Sequence, residues 1–364
     1  MRSPSGRPLR CCGRSVARQR LREASRAPLR RRTARPRSSP RTAVTCGGTF
    51  AEPFLLVLGE MATSPNPCVE QFMTSQPFIP APAPGSAALT APAIAPAARA
   101  EILFATDPIC SHCWAMEPPW RRFLYHYGEH VHVTHLYGGL LPGWDGFRDS
   151  AGIQKPTDIP PHWAEVADRY GQPIDASVWV TDPLDSSYPA SVAVHAVRTL
   201  APDREDDYLR RIRQALFLEA RNIARREVLV ACAVDIGLDA TAFATAFDDK
   251  SSAASFAADL AQKQRDGIRG FPTLVVTGPG SEQPWVLRGS QPFFRLQRAL
   301  EAVLGELPEA RPVDAKSVLE AYGSGTTREF SEVLELDAPA TEAALRAAGA
   351  RSRGLAGSQL WSLA

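Results

Sequence analysis

The sequence predicts an α/β fold whose sheet is encoded in two separated halves, a βαβ half and a ββα half, with a large all-helical insertion between them. Three observations carry that reading. A short apolar run, Ile102-Leu103-Phe104-Ala105-Thr106, leads into Cys110-Ser111-His112-Cys113 and then into an aromatic-rich segment. A second β-rich segment starts far downstream at Phe271-Pro272-Thr273. Between the halves, from about residue 155 to 268, the pattern is helical throughout.

The elements follow in order. The apolar run reads as a buried strand. Apolar positions at Trp120, Phe123, Leu124 and Tyr127 read as helix beyond Pro118-Pro119, prolines that either end the first helix or kink it. A second strand comes next, with His130 and His132 on one face. Helical pattern then appears at 160–170, 188–200, 205–222, 226–236, 240–248 and 251–266. Within it Tyr208, Ile212, Ala215 and Leu216 share one face, with arginines opposite, and Asp239 reads as an N-cap before Phe243 and Phe247. Pro272 opens a β-branched strand, Thr273 to Thr277, at a position where no ladder donor is required. The Gly278-Pro279-Gly280 turn and a second short strand, Trp285 to Gly289, make a hairpin. Phe294, Leu296, Leu300 and Val303 then place a closing helix over Gln291–Leu304. Past 306, Thr326–Asp337 and Thr341–Ala348 read as two short helices, and 350–364 as a frayed end.

Two cysteines at a strand-to-helix junction suit thiol–disulfide chemistry. Free N–H groups and the helix dipole stabilise a negative charge at a helix N-terminus, and the thiolate is the nucleophile. Zinc ribbons use the same C-x-x-C spacing but need a second pair of ligands. Cys11 and Cys12 are adjacent in an arginine-rich tail, and Cys46, Cys68 and Cys232 stand alone, so redox use is favoured over structural zinc. Cys232, inside an apolar run, reads as a small buried hydrophobe. A partly charged His112 within one turn of Cys110 favours its thiolate, which stabilises the reduced form and makes the disulfide a stronger oxidant. Trp114 reads as core or groove wall. His126, His130, His132 and His135 read as an exposed rim rather than a metal site, so no metal and no cofactor is expected.

Asp107-Pro108-Ile109-Cys110-Ser111-His112-Cys113-Trp114, taken with Gly138-Gly139-Leu140-Leu141-Pro142-Gly143 and Phe271-Pro272-Thr273, resembles the DsbA-like branch of the thioredoxin fold, and within it the FrnE-type predicted protein-disulfide isomerases. The resemblance covers about residues 100–306. It implies a cis Phe271–Pro272 bond facing the cysteines, an insertion that caps the active-site groove, and a Phe271 backbone that pairs with extended substrate. Ser111 departs from the proline common in DsbA-type oxidants, so oxidant, isomerase and reductase stay open.

The expected function is thiol–disulfide oxidoreductase through Cys110 and Cys113, with His112 and Pro272 supporting catalysis and Ser111, Phe271 and Trp114 contacting substrate. The substrates are proteins or small thiols that carry thiol or disulfide groups. The alternative from another class is a thioredoxin-like adaptor or scaffold, with zinc on the cysteines in place of redox turnover.

Composition divides the chain sharply. Residues 1–42 hold fourteen arginines and one acid, a net +13. With +2 for the whole chain, 43–364 carry 2 − 13 = −11. The tail reads as a phosphate-binding arm, a transit peptide or sequence upstream of a true start at Met61 or Met73, the last being favoured. Residues 77–97 read as a Pro/Ala-rich linker. The expected divisions are 1–97 extension, 98–154 first half, 155–268 insertion, 269–306 second half and 307–364 appendage. No nucleic acid is expected on the folded body and no membrane partner, and the oligomeric state stays open. The absence of a disulfide framework suits the cytoplasm.

Overall fold

β1 (Ala100–Thr106) is a central strand of the sheet, and the segment leading to Cys110 follows its C-terminal end. The computed structural model describes residues 99–363, so the 1–97 extension, with Cys11, Cys12, Cys46 and Cys68, lies outside the described residues. Chain order continues through α1 (Ser111–Ala115), α2 (Glu117–Tyr127) and β2 (Val131–Tyr137). The insertion supplies α3 (Ile159–Tyr170), α4 (Val178–Thr181), α5 (Tyr188–Leu200), α6 (Glu205–Phe217), α7 (Arg226–Asp235), α8 (Ala240–Asp248) and α9 (Lys250–Arg265). β3 (Thr273–Gly278), β4 (Ser281–Arg288) and α10 (Phe293–Leu304) complete the second half. The strand order is β2-β1-β3-β4: β1 pairs parallel with β2 and antiparallel with β3, and β3 pairs antiparallel with β4. This is a thioredoxin-like fold with a helical insertion between its halves.

Alternation along β1 sends Ile102 and Phe104 to one face, where they pack with Trp120, Phe123, Leu274, Val276, Leu296, Leu300 and Val303. Burying each of these large side chains contributes on the order of 1.5–3 kcal/mol. The insertion has its own core around Trp163, Trp179, Tyr208, Phe217 and Phe243.

Met116 separates α1 from α2, its N–H shared between the carbonyls of His112 and Cys113 at 3.2 and 3.3 Å. Pro118 and Pro119 sit in the first turn of α2, where no intrahelical N–H donor is missed, so they open a second helix rather than kink one. α2 is packed on both sides. Trp120, Phe123 and Tyr127 face the sheet, while Arg121 and Tyr125 face the C-terminal segment.

Several expectations need correction. His130 lies in a 3₁₀ turn before β2, so it does not share a strand face with His132. α6 stops at Phe217 instead of 222, because Ala220 adopts a left-handed φ of 50° and the Phe217 carbonyl is taken by the Asp175 N–H at 2.7 Å. The C-terminal segment holds more than two helices: α11 (Ala315–Tyr322), β5 (Ser324–Thr326), α12 (Thr327–Leu334) and α13 (Ala338–Ala347) precede a hairpin. That hairpin, β6 (Ala350–Leu355) and β7 (Ser358–Leu363), replaces the expected frayed end and forms a sheet of order β5-β7-β6. Ala356 and Gly357 turn it with φ of 50° and 71°, the left-handed values that a tight hairpin turn uses. Trp361 is buried beside Phe330, Val333 and Leu345. Among the described residues no helix is long and apolar enough to cross a membrane.

Candidate active site

Cys110 is the N-cap residue of α1, with φ −73° and ψ 110°. The thiol sulfur accepts the Cys113 N–H at 3.3 Å, one of the donors a helix N-terminus leaves free. The same thiol points at the Phe271 carbonyl, 3.7 Å away across the sheet. The Phe271–Pro272 bond is cis. Cys110 is 5% exposed and Cys113 1%. The neighbouring cleft is lined by Cys110, not by Cys113, so of the two sulfurs only the first is open to the cleft.

The cleft encloses about 490 Å³ between the two halves of the fold and the insertion. Ser111 and His112 of α1, Leu140 and Leu141 after β2, and Phe271 border it on the sheet side. Trp144, Phe147, Trp163 and Trp179 line the insertion side, and Lys263, Arg148 and Arg269 bring positive charge. Lys263 donates to the Gly138 carbonyl at 2.6 Å, and its ammonium lies 5.6 Å from the Phe271 ring centre. Half-burial lowers its pKa. Gly138 itself must lack a side chain, since a Cβ there would overlap the Phe271 ring.

Beneath the cysteines lies a buried polar layer. Asp107 accepts from the Ile109 N–H at 3.0 Å, the Leu140 N–H at 2.6 Å and the Ser187 hydroxyl at 3.1 Å, joining the reactive loop to the β2 exit and to α5. Burial pushes its pKa up to about 6 against those hydrogen bonds. Arg213 of α6 donates to Thr106 Oγ1 at 2.5 Å and to Glu117 at 2.8 Å. Burial pushes both thiols up. For Cys113 the hydrogen bond with Cys110, the charge of Arg213 and the Thr106 hydroxyl outweigh burial, and its pKa falls. Cys110 then rises well above the ordinary range, because the charge on Cys113 adds to its own burial. The two thiols therefore titrate as a unit, with one easy and one hard ionisation.

His112 does not supply the expected positive charge. Its ring lies 5.7 Å from His162 and 5.8 Å from Tyr170, and burial, then the charges of His162 and Arg169, lower its pKa. Trp114 corrects another expectation. It is fully buried, stacked on Phe217 at 5.3 Å with its indole N–H on the Pro173 carbonyl at 2.9 Å, and it does not reach the cleft. Pro272 is buried behind Phe271, and its carbonyl accepts the Gly289 N–H at 2.8 Å. Cys110, Ser111, His112 and Phe271 converge on one cleft. Of the other histidines, His126 bonds the Arg311 carbonyl at 2.9 Å, and His135 lies 3.3 Å from Asp206. Cys232 is buried in α7, its thiol pushed up to about 11 by burial.

Sequence reasoning missed Thr106, Asp107, Glu117 and Arg213 as a set. Asp107 stood next to the motif, but Arg213 signalled only a polar helix face.

A family model described as Thioredoxin matches residues 103–293. The ClpXP adapter protein SpxH of Shouchella clausii is 31% identical over 248 residues, 68% of this chain and 81% of the relative. Its namesake in Halalkalibacterium halodurans is 28% identical over 249 residues, again 68% and 81%. Among solved structures, the cytosolic disulfide reductase DsbM from Pseudomonas aeruginosa is 25% identical, covering 52% of this chain and 89% of its own, with a TM-score of 0.42. The family match spans more than half of the 364 residues, and the chain belongs to this thioredoxin family.

Proposed function

We propose that the protein catalyses thiol–disulfide exchange through Cys110 and Cys113. One observation carries the reading: Cys110 caps α1 with its sulfur on the Cys113 N–H, at the edge of a cleft and against the Phe271 carbonyl. In the reduced protein the coupled pair holds one negative charge between its two sulfurs, and Cys110, the sulfur at the cleft, carries that charge when it attacks a substrate disulfide. One protein–substrate S–S bond forms, the substrate S–S bond breaks, and one substrate thiolate leaves. Cys113, three residues on, then attacks Cys110, closes the intramolecular disulfide and releases the second substrate thiolate. Two electrons pass to substrate. The oxidised protein runs the steps in reverse. Ser111 and the Phe271 backbone contact the substrate, and Pro272 holds Phe271 in place. The cations at the cleft suit substrates that carry carboxylates near the sulfur.

The test is the equilibrium of the pair in glutathione buffers, read by alkylation and peptide mass at Cys110 and Cys113. A reversible two-electron couple is expected. A pair that never equilibrates with glutathione rejects the reading.

A second reading rests on the relatives, which are named as ClpXP adapters. In this reading the same groove and the insertion present a protein client to a protease, with the cysteines idle. Degradation of a client that depends on this protein and survives Cys110→Ser together with Cys113→Ser would select it. Loss of client handling in the same variant would favour the dithiol.

A further inference from the structure

One wall of the cleft is aromatic and already assembled. Trp144 meets Phe147 at 5.6 Å and Trp179 at 6.2 Å, and Trp179 meets Trp163 at 5.5 Å, all edge-to-face with interplanar angles of 84–87°. Trp163 and Trp179 are buried, whereas Trp144 and Phe147 line the cleft half-buried, with part of their surface still open. The Trp144 indole N–H is fixed on the Leu184 carbonyl at 2.8 Å, so little ordering is left for an occupant to impose. Edge-to-face contacts between rings gain beyond the area they bury, and a further ring suits such a wall. The cleft volume of about 490 Å³ is that of a small-ligand site, so it takes a short stretch of chain rather than a folded face.

The charge of the cleft adds a second requirement. Lys263, Arg148 and Arg269 line it together with one carboxylate, Asp149. Asp149 is occupied within its own loop by the N–H groups of Ala151 and Ile153, at 2.9 and 2.8 Å. Arg148 donates to the neutral side chain of Gln154 at 2.9 Å. Lys263 donates to a neutral carbonyl, that of Gly138 at 2.6 Å, and an ammonium has three donors. Asp107, whose charge acts on Lys263, already accepts from Ile109, Leu140 and Ser187. Lys263 also stands beside the chemistry. Its ammonium is 5.6 Å from the centre of the Phe271 ring, and the Phe271 carbonyl is 3.7 Å from the Cys110 sulfur.

We propose that the cleft selects peptide disulfides whose reacting cysteine has an aromatic residue and an acidic residue among its immediate neighbours in the chain. The ring enters the compartment of Trp144, Phe147, Trp163 and Trp179, and the carboxylate meets Lys263. The inference rests on the thiol–disulfide reading above and names its substrate class. It makes the insertion and the loop after β2 the source of selectivity, while the thioredoxin-like halves supply the sulfurs. In each reaction the Cys110–Cys113 bond forms as the peptide S–S bond breaks. The dithiol gives up two electrons and two protons, and two peptide thiols are released.

The experiment is a positional scan with the reduced full chain. The probes are symmetrical disulfides of blocked pentapeptides with a central cysteine and alanine elsewhere. Phenylalanine, glutamate or lysine replaces each flanking alanine in turn. Oxidation of the protein is followed by alkylation and mass, and each rate is divided by that of the same disulfide with dithiothreitol, which removes differences in intrinsic reactivity. Phenylalanine should gain about tenfold over alanine at one position or more. Glutamate should exceed lysine about threefold at one position or more, a size suited to a partly exposed ion pair. Phe147→Ala should shrink the first preference and Lys263→Gln the second. Both are ratios within one protein, so a general loss of activity in a variant cancels. A gain below twofold for phenylalanine at every position would overturn the proposal. So would lysine equalling glutamate throughout, or preferences that both variants leave intact. Glutathione disulfide separates the two levels of failure. If neither it nor any peptide oxidises the pair, the dithiol reading falls and this inference with it, whereas oxidation by all probes at equal corrected rates removes the selectivity alone.

Discussion

Glu329 on α12 and Arg210 on α6 form a two-pronged ion pair, with N–O distances of 2.7 and 2.8 Å. Arg121 of α2 adds a third contact to Glu329 at 2.9 Å, and Gln172 a fourth at 2.7 Å. One buried carboxylate thus ties the C-terminal segment to both the insertion and the helix that follows the cysteines. Arg210 also lies 4.7 Å from the centre of the Trp114 ring, directly behind α1.

Glu329→Gln is expected to cost about 3–5 kcal/mol, because it takes the buried counter-charge from Arg121 and leaves Arg210 only Glu117, 3.4 Å away and shared with Arg213. Against the penalty of burial, Arg210 and Arg121 bring the pKa of Glu329 down to about 2. A carboxylate lowered on folding stabilises fully above its ordinary pKa, and that stability is lost as pH falls from about 4.5 toward 2. Urea unfolding at pH 7 and pH 3 should show a smaller loss in the variant at pH 3. Equal losses at both pH values would contradict the assignment.

Asp107 has the opposite sign. Its pKa rises on folding from 3.8 to about 6, so its neutral form fits the folded state better. The stability linked to that form is fully present below about pH 4 and lost as pH rises through about 6, by about 3 kcal/mol. Asp107→Asn lowers overall stability, because the amide loses one acceptor oxygen among three donors, but it should flatten this slope. Melting temperatures between pH 4 and 7 give the comparison, and parallel curves for the two proteins would refute it.

Exposure separates the roles of the cysteines. Cys113→Ser should accumulate a mixed disulfide at Cys110, visible on non-reducing gels and reversed by dithiothreitol. Cys110→Ser should form none through this site and lose turnover, because Cys113 does not line the cleft. Trapping through Cys113 in the Cys110→Ser protein would reverse the order of attack.

Gly138→Ala tests the groove. Its Cβ would meet the far end of the Phe271 ring, so that ring must shift within the cleft it lines. A displacement near 1 Å predicts a loss of about 10²-fold in exchange rate. The glutathione equilibrium should change much less, since the sulfurs stay in place. An unchanged rate would show that Phe271 does not position substrate.

Much of this was legible in local pattern. The strand, the C-x-x-C helix start and the Phe271-Pro272-Thr273 strand opening are short-range features, and the structure places them together around Cys110. The insertion helices follow from 3.6-residue periodicity, and Asp239 caps α8 through the N–H groups of Thr241 and Ala242. The C-terminal hairpin escaped notice because β7 pairs partly with the three-residue β5, 34 or more positions earlier. Its exposed β6 also lacks apolar alternation.

The sequence by itself determined the fold class and the place of the two sulfurs at a helix start, because strand, helix start and dithiol spacing are each set by neighbours a few residues apart. Tertiary structure alone decided the electrostatics. His112 sits beside Cys110 in the chain but turns to His162 and Tyr170 and loses its charge to burial. Arg213, 100 residues beyond Cys113, keeps its charge in the interior and bonds Thr106. Coulomb energies depend on distance and dielectric in space, and periodicity along a chain carries neither.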